Sequence, residues 1–403
     1  MTPSRTSGGS TRLTKTLGRF TADQLRRLCD VVGLDAADAE TYASVLAESL
    51  GTAAERPLDL PPPSRSFLSD DHTPVEFSLS FQPGETPTLR VLLEPGCDAA
   101  SLVDNGRVGL RVIHAMTERW GFSSHRLDHL EDLFFPPASQ GPLALWCALE
   151  LRPGGVPRLK VYLNPAASGP ERAGETIREA LGRLGYQQAY TALPPADGYP
   201  FFALDLGDWD APRVKIYLRH HNLAVAEAGS LPRMDSGPEQ ATVEAFFRIA
   251  AGYHSGTRSG AGTSADARLC GLPALACHSF TETTTGLPSG FTLHIPIRDY
   301  VRHDGEAHAR AVAVLAHYGM DATPLARSLA AVTSRQPADG TGLIAYLALA
   351  YERSRPPRVT AYISSEAYGL RPLAAPLSPR TTPLLNSLSR LPGHRPRSRH
   401  RQE

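Results

Sequence analysis

Two segments decide the fold: PRLKVYLNP at residues 157–165 and PRVKIYLR at residues 212–219. In each, a lysine and a tyrosine stand two residues apart, as Lys160/Tyr162 and Lys215/Tyr217. The residues between and around them are apolar: Leu159, Val161 and Leu163 in one, Val214, Ile216 and Leu218 in the other. A strand sends residues i and i+2 to the same face. One face of each segment is therefore cationic and aromatic, and the other is greasy. Similar pairs recur as Arg90/Leu92, Thr292/His294 and Thr360/Tyr362, at intervals of 55 to 77 residues. Each of the five lies in the second strand of a pair joined by a turn-rich link: PGE, PGG, GDWDAP, GLPSG and RSRPP.

The first strands of the five pairs are PVEFSLSF (74–81), LALWCALEL (143–151), YPFFALDL (199–206), ACHSFTET (276–283) and GLIAYLALAYE (342–352). Helical patterns fill the intervals at 21–31, 36–50, 98–120, 170–185, 237–252, 305–319 and 322–333, with Thr21 as a candidate N-cap. Five hairpins separated by helices form an internal repeat and predict an α+β fold with ten antiparallel strands and helices outside. A sheet of that length closes to remove its edges. The apolar faces suit packing under the helices. The polar faces then point inward, which predicts a solvent-filled lumen in place of a packed interior.

The 403 residues are 41% hydrophobic and 20% charged, enough to bury a large core. Lys plus Arg balances Asp plus Glu at 41 each, which excludes a general nucleic-acid binder. Cys29, Cys97, Cys147, Cys270 and Cys277 show no metal-ligand spacing and read as reduced thiols of a cytoplasmic protein. Neither a signal peptide nor a membrane-spanning run is apparent. Residues 1–15 read as a disordered leader, 16–370 as one barrel domain, and the Pro- and Arg-rich 371–403 as a disordered tail.

A lumen lined by Arg90, Lys160, Arg213 and Lys215 needs a polyanion, and a diphosphate suits both guanidinium forks and ammonium point charges. Pairing with internal carboxylates, or pointing to solvent, is the alternative. Tyr162, Tyr217 and Tyr362 would ring the same space, where aromatic faces stabilise a carbocation and their bulk excludes water. Glu76, flanked by Val75 and Phe77, shares the inward face with Ser78 and Ser80 and can accept an indole N–H; neutralising a lumen cation is its other possible role. No DDxxD-type cluster, phosphate-binding loop or nucleophile elbow accompanies these residues: Asp70-Asp71 is a lone pair, and Asp205, Asp208 and Asp210 are dispersed. The cations would then replace a metal.

These motifs together resemble the dimethylallyltryptophan synthase group of indole prenyltransferases, bacterial members especially, over roughly residues 17–370. The resemblance implies the ABBA prenyltransferase barrel of five α-β-β-α units. It implies metal-free transfer of a dimethylallyl group from dimethylallyl diphosphate to L-tryptophan, by a monomer or homodimer without nucleic-acid or membrane partners. It assigns Glu76 and the Leu68 carbonyl to the indole, and Arg90, Lys160, Arg213, Lys215 and, nearby, Arg353 to the diphosphate. Tyr162, Tyr217, Tyr362 and Tyr346 fall at the cation shield. Three positions depart from the family pattern. His294 replaces a shield tyrosine, Arg152 stands where a proton-shuttling lysine is expected, and Asn164 stands near the amino-acid group. His294 and Glu76 are then candidate proton acceptors beside water and released diphosphate, and the expected ring position moves from C4 to C6. The alternatives are a same-fold enzyme acting on a phenol, hydroxynaphthalene or cyclic dipeptide, and a non-catalytic barrel that binds isoprenoid diphosphates.

Overall fold

The computed structural model describes residues 15–207, 209–253 and 267–369. The leader and the tail lie outside these residues, apart from Lys15. Ten strands form one closed barrel: β1 (Val75–Phe81), β2 (Thr88–Leu93), β3 (Leu145–Glu150), β4 (Arg158–Leu163), β5 (Gly198–Leu206), β6 (Val214–His220), β7 (Ala274–Phe280), β8 (Gly290–Ile295), β9 (Ile344–Glu352) and β10 (Arg358–Ser364). All neighbours are antiparallel, and β1 closes on β10 in a register running from Glu76 opposite Ser364 to Phe81 opposite Val359. Closure leaves no unpaired edge. The strand pairs and barrel match the expected architecture.

The two faces divide as the alternation requires. Leu159, Val161, Leu163, Val214, Ile216 and Leu218 are all 0% exposed and belong to the core between barrel and helices. That jacket comprises Leu17–Val31, Ala36–Leu50, Leu102–Trp120, Ala173–Arg183, Gln240–Ala251, Asp304–His317 and Thr323–Val332. The first helix begins one turn earlier than the sequence pattern suggests. Thr16 is its N-cap, accepting from the Arg19 N–H, while Thr21 sits inside the helix and returns its hydroxyl to the Leu17 carbonyl at 2.9 Å. A threonine hydroxyl can serve either way, so composition alone does not separate the two positions.

The hairpin links all lie at one end of the barrel, because each pair is joined after its first strand. On β9, Tyr346 is near the opposite end and Glu352 at the hairpin end; on β10, Arg358 is at the hairpin end and Ser364 at the other. Gly207, at φ +90°, ends β5 where a Cβ would meet the Phe122 ring at 2.5 Å. Only glycine meets both conditions, and the link that follows can then fold back toward the lumen.

Candidate active site

At the hairpin end, six cations line one cavity of about 690 Å³, open mouth included: Arg90, Arg158, Lys160, Arg213, Lys215 and Arg358. Strand register brings them together. Arg90 on β2 faces Glu150 on β3, which faces Arg158 on β4, and Lys160 faces Asp205 on β5. Three carboxylates thread between the cations. Glu150 takes Arg90 at 2.7 Å and Arg158 at 3.3 Å. Asp205, wholly buried, takes Arg213 at 2.6 Å and Lys160 at 3.6 Å. Glu352 pairs with Arg213 and, at 3.5 Å, with Arg358. Among the described residues, six basic side chains face only these three carboxylates, with the exposed Asp210 3.8 Å from Arg158 at the rim, so the cavity holds a surplus of cationic groups.

The titration behaviour follows from that crowding. Burial favours the neutral acid of Glu150, but the guanidinium of Arg90 and the other cations overcome it and hold the carboxyl far below its usual range. The same contest leaves Glu352 lowered to about 2. Lys215 has no carboxylate within ion-pair distance among the described residues, and burial together with Arg213 and Lys160 depresses its ammonium well below the ordinary lysine value. Lys160 is also lowered, by burial first. The cluster is short of negative charge.

Trp209, on the β5–β6 link, is held by its indole N–H to the carbonyls of Leu206 at 2.9 Å and Leu159 at 3.2 Å. Its ring lies beside three of the cations, 4.6 Å from the Arg213 guanidinium, 5.0 Å from Arg158 and 5.7 Å from Lys160. It closes one side of the cationic cavity with an aromatic plate.

An aromatic collar crosses the lumen above the cations. Tyr162 meets Tyr217 at 5.9 Å, Tyr217 meets His294 at 5.7 Å, His294 meets Tyr362 at 5.8 Å, and Tyr362 meets Tyr346 at 6.2 Å. Phe201 joins from β5, edge-on to Tyr217 at 5.6 Å and tilted against Trp146 at 5.2 Å. His294 is therefore part of the collar. Burial and the nearby Lys215 and Lys160 lower its imidazole to about 4, against the opposing bond to the Leu275 carbonyl. With Nδ1 donating to that carbonyl at 3.3 Å, Nε2 is left as the acceptor nitrogen.

Beyond the collar, at the end away from the hairpins, Glu76 is buried and 5% exposed. Burial raises its carboxyl to about 8, with Arg298 lowering and Asp70 raising it further. Leu68 packs with Leu143 and Trp146 against Tyr162, Leu92 and Phe201. Its loop is fixed by Ser66, whose hydroxyl donates to Glu94 at 2.6 Å.

Three expected residues lie elsewhere. Arg152 shares the parity of Trp146, Ala148 and Glu150, but β3 ends at Glu150 and the chain has turned outward by Arg152, whose backbone bonds the Tyr42 hydroxyl. Arg353 is in the β9–β10 link, 42% exposed and paired with Glu282 at 3.2 Å; Arg358 takes the lumen position. Asn164 is buried, yet its amide holds the Gln140 and Leu143 carbonyls at 2.7 and 3.0 Å and so braces a loop. Sequence reasoning missed Glu150, Asp205, Glu352, Arg158, Arg358, Trp209 and Arg298. No group of three His, Cys, Asp or Glu side chains suited to a metal occurs among the described residues. No helix there is long and apolar enough to cross a membrane.

Comparison with known proteins agrees with this geometry. A family profile described as tryptophan dimethylallyltransferase matches residues 36–235. The prenyltransferase PriB, solved with L-tryptophan and dimethylallyl thiolodiphosphate, is 63% identical over 89% of this chain and 98% of its own, with a TM-score of 0.85. The 5-dimethylallyl tryptophan synthase from Streptomyces coelicolor, solved with DMASPP and Trp, is 61% identical over 91% of this chain and 100% of its own, at 0.83. The 6-dimethylallyltryptophan synthase from Micromonospora olivasterospora is 39% identical over 89% and 99%, at 0.79. With a cationic cavity beneath an aromatic collar and relatives this similar across nine-tenths of its length, the chain belongs to the tryptophan dimethylallyltransferase family of aromatic prenyltransferases.

Proposed function

We propose that this enzyme transfers the dimethylallyl group of dimethylallyl diphosphate to C6 of L-tryptophan without a metal. The observation that carries the donor half of the reading is the surplus of six cationic side chains over three carboxylates directly under the aromatic collar. Arg90, Arg158, Lys160, Arg213, Lys215 and Arg358 bind the diphosphate and stabilise the charge that grows on it as the allylic C–O bond breaks. The bonding pair leaves with the diphosphate oxygen. Tyr162, Tyr217, Tyr362 and Tyr346 face the dimethylallyl cation and keep water from it.

The indole binds on the far side of the collar, its N–H donated to Glu76 and its plane against Leu68. A ring carbon attacks the cation, forming the C–C bond, and loss of the proton on that carbon restores aromaticity. His294 receives this proton. Its imidazole is neutral in the free protein, and an arriving diphosphate offsets Lys160 and Lys215, raising its basicity where the proton is released. Arg152 has no part in this step, because a guanidinium does not deprotonate and its chain segment has left the lumen.

Arrival of the donor's negative charge is also what makes the cluster work without a metal ion: the excess cations do what a magnesium clamp does in other diphosphate enzymes. C5 is the second reading, favoured by the 61% identity to a 5-dimethylallyl tryptophan synthase against 39% to a 6-dimethylallyltryptophan synthase. Proton NMR of the isolated product tests the assignment. Benzene-ring coupling of a 6-substituted indole is expected; a 5-substituted pattern replaces C6 with C5, and an N- or C4-prenylated product overturns both.

A further inference from the structure

We propose that Glu94 is a positioning residue that locks two walls of the acceptor space together and so sets which carbon of the ring meets the allyl cation. The inference rests on the reading of the lumen as an indole site. It adds the residue that holds the wall against which the ring lies.

Glu94 directly follows β2, four residues after Arg90 and two after Leu92. Its N–H still reaches the Pro74 carbonyl at 3.0 Å, so the pairing of β1 with β2 continues and the side chain keeps the lumen parity of Arg90 and Leu92. It is 5% exposed and is held by neutral donors. The Ser66 hydroxyl donates to one carboxylate oxygen at 2.6 Å. The Asn105 amide, on the helix Leu102–Trp120, reaches the other at 3.5 Å and is itself fixed to the Pro95 and Gly96 carbonyls at 3.2 and 2.9 Å. The Trp146 indole N–H faces the same carboxylate without closing a full hydrogen bond. Burial raises the Glu94 pKa, and Ser66 and Trp146 oppose the rise.

These donors belong to the walls of the acceptor space. Ser66 also accepts the Leu68 N–H at 3.3 Å, so its bond to Glu94 fixes the start of the loop that carries Leu68. Leu68 and Trp146 are buried in one cluster with Leu143, packed against Tyr162 of the collar. The Leu143 carbonyl is held in turn by Asn164, which stands four residues after Lys160 as Glu94 stands four after Arg90. Equivalent positions of the repeat thus brace two parts of one wall. Further along, the loop closes on itself: the Asp71 carboxylate accepts from the Ser69 hydroxyl at 2.6 Å and from the Thr73 N–H at 3.0 Å. Glu94 ties the Leu68 end to the barrel. Adjacent carbons of a benzene ring are one bond apart, so a small shift of this wall exchanges one attacking carbon for the next.

The experiment measures the ratio of ring-substituted isomers in the total prenylated tryptophan, by chromatography and proton NMR, using full-length enzyme, L-tryptophan and dimethylallyl diphosphate. The variants are Ser66→Ala, which removes the tether to the loop, and Glu94→Gln, which turns an amide NH₂ toward donors that need an acceptor. Losing a hydrogen bond to a charged group is expected to lower the major-to-minor isomer ratio roughly 10-fold or more in both. KM for dimethylallyl diphosphate should stay within about twofold, because the cations lie across the collar. A ratio unchanged within about twofold in both variants overturns the proposal, since a residue that only supports the fold lowers every isomer together. An equal loss of donor binding marks a general disruption of the lumen and overturns it too. Should Glu94→Gln fail to fold, the Ser66→Ala ratio decides alone. Because a ratio is read, the test is the same whether C6 or C5 is the major position. Absence of prenylated tryptophan from the unaltered enzyme defeats the indole reading and this inference with it, whereas turnover at an unchanged ratio defeats the inference alone.

Discussion

Glu76 gives the sharpest pH signature. An ordinary glutamate is ionised throughout the neutral range, but burial raises this carboxyl from 4.5 to about 8. The indole N–H is activated by the carboxylate, not by the neutral acid. With a pKa near 8 the ionised fraction is roughly 1% at pH 6, about 10% at pH 7, half at pH 8 and about 90% at pH 9. Because the folded-state value is raised, activity is low on the acid side and grows as the pH climbs through it. The assay is kcat/KM for L-tryptophan from pH 6 to 9, with dimethylallyl diphosphate saturating so that its own titration does not enter. A rise of about 50-fold between pH 6 and 8 is expected. Glu76→Gln should be slow and lose the rising limb. A flat profile, or the same rising limb in Glu76→Gln, would deny Glu76 its place at the indole nitrogen.

Other predictions follow from the cation cluster. Arg358→Leu should cut kcat/KM for the prenyl donor roughly 100-fold, as expected for a lost charge-assisted contact, while Arg353→Ala, in an exposed pair, should change it less than about twofold; equal effects would restore Arg353 to the site. Asp205→Asn breaks a buried ion pair and should lower thermal stability by ~3–5 kcal/mol, or roughly 4–7 °C. Inorganic diphosphate should close part of that gap by supplying the missing charge, and a gap unchanged by diphosphate, measured by thermal melts, would argue against the shared site. Trp209→Leu removes three ring–cation contacts and should raise the donor KM about 10-fold or more with a smaller effect on tryptophan KM; an equal rise in both constants would deny Trp209 its place at the diphosphate.

The fold was legible because alternation persists through the middle of each strand. Lys160/Tyr162 and Lys215/Tyr217 were assigned to the lumen on parity alone, and the register places them there. The site was less legible at strand ends, where parity is no guide to where a chain leaves the sheet. Arg152 has the correct parity but falls beyond β3, so Glu150 is the last lumen residue of that strand. On β9 and β10, counting by two from Tyr346 reaches Glu352 and from Tyr362 reaches Arg358; both flank the RSRPP link, at strand ends where parity alone does not say whether a residue still faces the lumen. Asp205 belongs to the same class, at the end of β5 beside the GDWDAP link. The carboxylates matter because they answer both expectations for the cations at once. The cations pair internally and still leave an excess for a ligand. Trp209 and Arg298 belong to links, where sequence has no period from which to read direction.

If the protein's own cations drive prenyl transfer to tryptophan, a metal chelator leaves turnover intact. The most direct measurement is mass-spectrometric detection of prenylated tryptophan after incubating the enzyme with L-tryptophan and dimethylallyl diphosphate in excess EDTA. Turnover equal, within about twofold, to that with added magnesium is expected, the residual margin reflecting surface screening only. Turnover that appears only when magnesium is restored would contradict it.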